Sequence, residues 1–236
     1  MASAKTFIGD VLGQFFFHTT TVTRVREPAA RFRWVELEGS SLRDESFSPG
    51  DKVQVYLPGL GMRTYTPLSW DAQKGTLALL VYLHGAGPGA EWGRRVGVGD
   101  SVRFFGPRRS LKLDAASGPV VLFGDETSLG VAWSLRVDGR REVSAVFEVS
   151  QRAEVAPVLR ELGLEGTEVE RLPGDAHLSE VHERLRAALE RSPGAPLVMT
   201  GRAQSIQTLK TRFKAGGSQP SGKTKAYWSV GKTGLD

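Results

Sequence analysis

Val53-Gln-Val-Tyr-Leu57, followed by Arg63-Thr-Tyr-Thr66, sets the architecture expected of this chain. The first run is strand-like, and the second is a box at a strand's end. Side chains alternate along a strand, so Arg63 and Tyr65 share one face. A guanidinium so placed can fork onto a pyrophosphate oxygen. The Tyr65 ring can cover an isoalloxazine, and Thr66 can offer a hydroxyl or N–H to a flavin's reactive edge. Thr64 completes the box. Taken alone, the same four residues equally fit an ordinary surface strand.

Working outward, His84-Gly-Ala-Gly-Pro-Gly-Ala-Glu-Trp92 follows the apolar run 77–83. A glycine-rich turn that enters a helix presents free backbone N–H groups, which suit a phosphate. Gly99-Asp100 and Phe105-Gly-Pro107 come next, then Val120-Val-Leu-Phe123 leading into Gly124-Asp-Glu-Thr127. Tyr227-Trp228 lies near the C-terminus. In this order the boxes resemble the siderophore-interacting protein family, the FAD-dependent ferric-siderophore reductases of the ferredoxin-reductase-like superfamily. The resemblance covers about residues 18–232.

That resemblance implies non-covalent FAD held by Arg63, Thr64, Tyr65, Thr66, His84, Gly85, Gly87, Pro88, Gly89, Trp92, Asp125, Thr127 and Trp228. It implies NAD(P)H or reduced ferredoxin as electron donor and a ferric siderophore as acceptor. Lys223, Lys225 and Lys232 flank Tyr227-Trp228 and are candidates for drawing in an anionic chelate. Several positions depart from the family's pattern. Leu68 stands where an arginine is usual, Ala90 replaces a serine, Arg202 replaces an acid after Gly201, and Ser229 follows Tyr227-Trp228. Arg202 favours NADPH's extra phosphate over NADH, or marks an altered nucleotide site.

Several residues also have plainer roles. Asp125 or Thr127 can be a helix N-cap, His84 a histidine satisfied at a strand end, and Trp92 and Trp228 core aromatics. His182 is expected to be exposed on a helix. No Gly-x-Gly-x-x-Gly fingerprint follows strand 120–123.

The 236 residues allow one large or two small domains, and 40% hydrophobic content allows a real core. There is no cysteine, which excludes disulfides, thiolate metal sites and Cys-ligated iron–sulfur clusters. His18, His84, His177 and His182 form no His-Glu-x-x-His pattern, so no resident metal is expected and iron arrives with the substrate. No Gly-x-Ser-x-Gly elbow is present. Electron transfer needs no general acid or base, and none is named. The first residues lack the apolar core of a signal peptide, and run 77–83 is too short to span a bilayer. A soluble, cytoplasmic protein without nucleic-acid partners is expected.

The net charge of +5 is concentrated at the C-terminal end, where residues 202–236 carry seven basic residues against Asp236 alone. Such a segment is either a solvated basic surface or an attractor of anionic ligands.

Strands are expected at 15–25, 32–37, 53–57, 64–69, 77–83 and 101–105, separated by turn signals. Six short strands suit an antiparallel FAD-binding β-barrel over residues 1–115. Residues 114–118 read as a linker. From residue 119 to 236, strands at 120–123, 143–149, 167–172, 197–200 and 225–230 alternate with helices. The helix at 155–162 is expected to carry Pro157 in its first turn. Alternation of this kind gives a doubly wound parallel sheet, an α/β half of NAD(P)H-binding type. The function expected is a flavin-dependent ferric-siderophore reductase. The alternatives are a flavin reductase or electron-transfer protein for another acceptor, and a non-catalytic anion-binding module.

Overall fold

The computed structural model of the chain describes residues 17–111, 118–137, 139, 141–164 and 166–232. Seven strands form an antiparallel sheet: β1 (His18–Ala29), β2 (Phe32–Glu38), β3 (Lys52–Leu57), β4 (Gly61–Tyr65), β5 (Ser69–Asp71), β6 (Thr76–Tyr82) and β7 (Ser101–Arg108). Their order is β4-β3-β7-β1-β2-β6-β5. β3 shows why: Val53, Val55 and Leu57 are buried while Lys52, Gln54 and Tyr56 are not, so one face lines a core. That core holds Val22, Val35, Leu37, Leu79, Val81 and Phe104.

The expectation of six strands is corrected to seven. Residues 64–69 divide between the end of β4 and the start of β5. Pro67 lies between them, and a residue without an N–H cannot carry the ladder onward. Helix α1 (Pro88–Arg95) follows β6. Phe15 and Phe16 of the first expected strand, and residues 114–117 of the expected linker, lie outside the described residues.

The second sheet is parallel, with order β10-β9-β8-β11-β12. Its strands are β8 (Val120–Gly124), β9 (Val143–Val149), β10 (Gly166–Glu170), β11 (Leu197–Arg202) and β12 (Gly222–Trp228). β8 is buried along its whole length, as a central strand covered on both faces requires. Helices α2 (Leu129–Val137), α3 (Arg152–Glu161), α4 (Leu178–Arg191) and α5 (Ala203–Ala215) connect the strands. Pro157 is not in a first turn. α3 starts at Arg152 after extended Gln151, so Pro157 sits inside it.

One face of this sheet packs Val121, Phe123, Val146 and Met199 against Leu185 of α4 and Leu209 and Phe213 of α5. The other face shares a core with the first sheet, joining Leu122, Leu129 and Phe147 to Phe32, Leu68 and Ala78. At the surface, Arg26 pairs with Glu161 and Arg31 with Glu154, tying β1 and the β1–β2 turn to α3. The sheet order reverses between β8 and β11, which leaves a crevice beyond their carboxyl ends.

Candidate functional site

In the β3–β4 hairpin Val53 pairs with Tyr65 and Val55 with Arg63. Thr64 is exposed, whereas Arg63 and Tyr65 are half-buried on the other face. Both meet the first turn of α1. A Cβ at Gly89 would lie 3.0 Å from the Tyr65 hydroxyl and 3.4 Å from Arg63 Cγ. Tyr65 also packs on Trp92, with ring centroids 5.7 Å apart. Burial pushes its phenol well above the usual range.

Among the described residues the Arg63 guanidinium donates only to the carbonyls of Met62, at 2.6 Å, and Leu60, at 3.4 Å. Among the described residues no carboxylate pairs with it. α1 begins at Pro88 after Gly87, and no side chain caps its first N–H groups. Gly85 and Gly87 have open space where a Cβ would stand. An unanswered guanidinium beside uncapped helix N–H groups fits a diphosphate. The residues present therefore fit FAD.

Thr66 closes the hairpin against the α/β half. Its carbonyl lies 2.7 Å from where a Cβ on Gly130 would stand, so α2 can approach only with glycine there. The Thr66 and Tyr227 hydroxyls share a hydrogen bond, and burial holds the Tyr227 phenol above its usual range.

A buried polar cluster fills the carboxyl ends of the parallel strands. Asp125, fully buried after β8, accepts from the Thr127 N–H at 2.8 Å and from Trp228 Nε1 at 2.7 Å. It forms a capping box with Ser128. Gly201, at φ 97°, passes so close that any side chain would meet the Asp125 carboxylate. Burial, then the charge of Glu126, pushes the Asp125 carboxyl up to about 6, against the pull of Thr127, Arg171 and Trp228.

Glu126 accepts from Arg171 Nη2 at 2.8 Å, from the Ser150 N–H at 2.6 Å and from the Tyr82 hydroxyl at 3.2 Å. Burial would raise its carboxyl, but the charge and hydrogen bonds of Arg171 outweigh burial and hold it below the usual range. The Tyr82 phenol is pushed up to about 12 by burial and by Glu126. Glu148, also buried, accepts from His177 Nε2 at 2.9 Å and Ser205 Oγ at 2.8 Å. His177 Nδ1 accepts from the Leu172 N–H, which leaves the ring proton on Nε2. Arg171 Nε lies 3.6 Å from Glu148, so this single guanidinium faces three carboxylates.

Trp228, His84 and Tyr82 stack in a ladder between the two sheets. His84 lies 6.1 Å from Trp228 and 5.8 Å from Tyr82, both near-parallel. Burial holds the His84 imidazole below its usual range. Arg202 is not an open charge. It grips Asp175 through both oxygens, and that hydrogen bonding holds the Asp175 carboxyl low. An extra phosphate would have to compete with Asp175 for this guanidinium.

Of the three candidate lysines, Lys225 is half-buried while Lys223 and Lys232 are exposed. Lys225 lies close enough to Lys52 to depress its ammonium together with Arg108, after burial as the largest cause. β3 and β7 pair Lys52 with Arg108. His182, expected to be exposed, is half-buried edge-on against Phe213 at 4.6 Å. Among the described residues no group of three metal-ligating side chains gathers, and no helix is long and apolar enough to cross a membrane.

Residues 58–111 match a protein-family model described as the siderophore-interacting FAD-binding domain. The matched stretch spans β4 and α1. By sequence alone no curated protein matches the chain. A siderophore utilization protein from T. fusca shares 25% identity at a TM-score of 0.71, covering 93% of this chain and 95% of that one. A siderophore-interacting protein from Aeromonas hydrophila, 18% identical, has a TM-score of 0.71 over 92% of this chain and 93% of its own. Phthalate dioxygenase reductase, 19% identical, has a TM-score of 0.70 over 94% of this chain and 71% of its own. The last two likenesses show the fold, which is ferredoxin-reductase-like. A siderophore-interacting FAD-binding domain on this fold supports flavin-dependent electron transfer, the work of an oxidoreductase.

Sequence reasoning missed Glu148, Arg171, Lys52 and Arg108. Glu126 was visible only as a letter within its box. Nothing local marks these residues, because each gains its role from a partner far away in the chain.

Proposed function

We propose that the protein is a ferric-siderophore reductase that passes electrons from NAD(P)H or reduced ferredoxin through FAD to the chelated iron. The basic cluster of Lys52, Arg108 and Lys225 carries this reading. Lys52 precedes Val53, the partner of Tyr65, and Lys225 shares a strand face with Tyr227, whose hydroxyl meets Thr66. No carboxylate among the described residues neutralises any of the three, and burial, then the charges of Lys225 and Arg108, lower the Lys52 ammonium. Three unanswered positive charges beside the flavin box form a landing place for an anionic chelate.

When bound, FAD supplies the conversion from a two-electron donor to single electrons for Fe(III). Arg63 and the first N–H groups of α1 would hold the diphosphate. Tyr65, Thr66 and Trp228 would hold the isoalloxazine, with His84 supporting Trp228 by ring stacking and Thr127 on the crevice side. Lys52, Arg108 and Lys225 hold the chelate within electron-transfer reach. Iron(II), with its lower charge density, binds hard oxygen donors more weakly and is released. No proton has to move on the chelate, so no acid or base is required there.

Turnover of FAD-loaded protein with a donor and an anionic ferric trihydroxamate, with a chromogenic iron(II) chelator present, tests this reading. Steady iron(II) capture that needs both FAD and donor is expected. Capture equal to that of donor and free FAD without protein would overturn it.

A further inference from the structure

We infer that Asp125 is a positioning residue that latches Trp228 across the crevice, so that an electron donor entering there must break the Asp125–Trp228 hydrogen bond. The inference deepens the proposed function and rests on its NAD(P)H donor, which in a doubly wound fold enters the crevice beyond the carboxyl ends of the strands.

Asp125 stands where an anion is at home in a doubly wound fold, at the start of the helix after the first strand. Its own carboxylate occupies that place. One oxygen accepts the Thr127 N–H, at 2.8 Å, and the other accepts Trp228 Nε1, at 2.7 Å. The carboxylate has no solvent exposure. The backbone of Gly201 presses on it from β11, where a side chain would collide with it. The group therefore cannot swing away to meet a ligand.

Trp228 is fixed on further sides. His84 stacks over its ring, and the Arg171 guanidinium lies 5.9 Å from its centroid. Beyond it, Ser229 Oγ accepts from Gln204 Nε2 at 2.9 Å, and the Val230 N–H donates to Gln204 Oε1 at 3.4 Å. The bond to Asp125 is the one directional contact that a buried charge makes with the ring. Trp228 thus lies between β11 and the ladder of His84 and Tyr82, at the junction of the flavin box and the crevice.

A carboxylate can accept from both Thr127 and Trp228, whereas an amide has one oxygen. Asp125→Asn must therefore give up one of the two bonds, and if it keeps the one to Trp228 that bond loses its charge assistance. Trp228→Phe deletes the same bond from the other side and keeps a ring in place. It also identifies the Trp228 indole signal among the five tryptophans.

The decisive experiment is proton exchange of the Trp228 indole N–H by NMR in the FAD-loaded protein, paired with NADPH and NADH titrations of flavin reduction. Exchange is expected to rise about ten- to hundred-fold in Asp125→Asn, in keeping with a lost charge-assisted hydrogen bond. The half-saturating nucleotide concentration, read at saturating FAD, is expected to fall in both variants. Equal indole exchange in Asp125→Asn and the unmodified protein overturns the latch. Faster exchange with an unchanged half-saturating concentration overturns its gating role. If no nucleotide reduces any of the three proteins, gating of a nucleotide donor falls along with the nucleotide half of the proposed function, and the exchange result alone judges the latch. Should Asp125→Asn fail to fold, Trp228→Phe decides the gating by the same titration.

Discussion

Replacing Arg171 by methionine removes the one arginine or lysine among the described residues that pairs with Glu126, Glu148 and Asp125. The arginine side chain is 20% exposed, while those of Glu126, Glu148 and Asp125 are 1%, 0% and 0% exposed. Water cannot take over its role. Breaking a buried pair from one side costs about 3–5 kcal/mol, and for a chain of this size that is a fall of about 6–20 °C in Tm. The loss must depend on pH. In the unmodified protein Glu126 has a depressed pKa. Its contribution is present above its unfolded value of 4.5 and disappears as pH falls through the folded value. Without Arg171, only the hydrogen bonds from Ser150 oppose burial, and burial is the larger effect. Glu126 then behaves as Asp125 already does, with a folded pKa raised above the unfolded one. Such a group stabilises at low pH and loses that contribution as pH rises through its folded value. Urea unfolding at about pH 7.5 and about pH 4.5 should show a large deficit at the higher pH that shrinks at the lower one. A deficit equal at both values, or one below about 1 kcal/mol at the higher pH, would refute the assignment of Arg171 as the cluster's counter-ion.

Three further outcomes follow from the same geometry. Arg63→Ala should weaken FAD about ten- to hundred-fold, because a charge-assisted fork is worth about 1.5–3 kcal/mol; titration of the apoprotein by flavin fluorescence measures this, and unchanged affinity in an Arg63→Ala, Tyr65→Ala variant would remove the hairpin from the site. Neutralising Lys52, Arg108 and Lys225 to glutamine should flatten the salt dependence of the rate with an anionic ferric chelate while sparing a neutral one. The screening length falls from about 10 Å at 0.1 M to about 3 Å at 1 M, so identical salt profiles for the two chelates in the unmodified protein would dismiss the cluster as ordinary surface. Gly201→Ala should lower stability by more than the roughly 1–3 kcal/mol of a strained backbone position, since its Cβ also meets the Asp125 carboxylate; a neutral effect in thermal unfolding would mean that β11 and Asp125 are not locked together.

Local pattern made most of the architecture legible. The alternation of Val53, Val55 and Leu57 marks β3, and the unbroken run of residues 120–123 marks a central parallel strand. The stripe of Leu178, Val181 and Leu185 marks the buried face of α4. Asp125 as a helix cap was legible too, because capping is a local bond. The division of residues 64–69 was marked by Pro67 in plain sight, yet alternation on either side masked it. What stayed hidden depends on register and topology. Lys52 meets Arg108 only because β3 pairs with β7, fifty-odd residues away, and both meet Lys225 only because β12 lies at the sheet edge facing them. Arg171 reaches Glu126 across three strands of parallel sheet. Arg202 was correctly seen as an unusual charge, but its answer, Asp175, lies 27 residues away on another loop.

The central claim is electron transfer from FAD in this chain to chelated iron(III), and anaerobic rapid mixing tests it most directly. FAD-loaded protein, reduced by light and freed of donor, is mixed with an anionic ferric trihydroxamate while the oxidised-flavin absorption band and iron(II) capture are followed together. The account predicts that the band returns in step with iron(II), at a rate that rises with chelate concentration and falls with salt. A band that stays bleached with the ferric chelate but returns at once with a small quinone would contradict it, leaving a flavin electron-transfer protein for another acceptor.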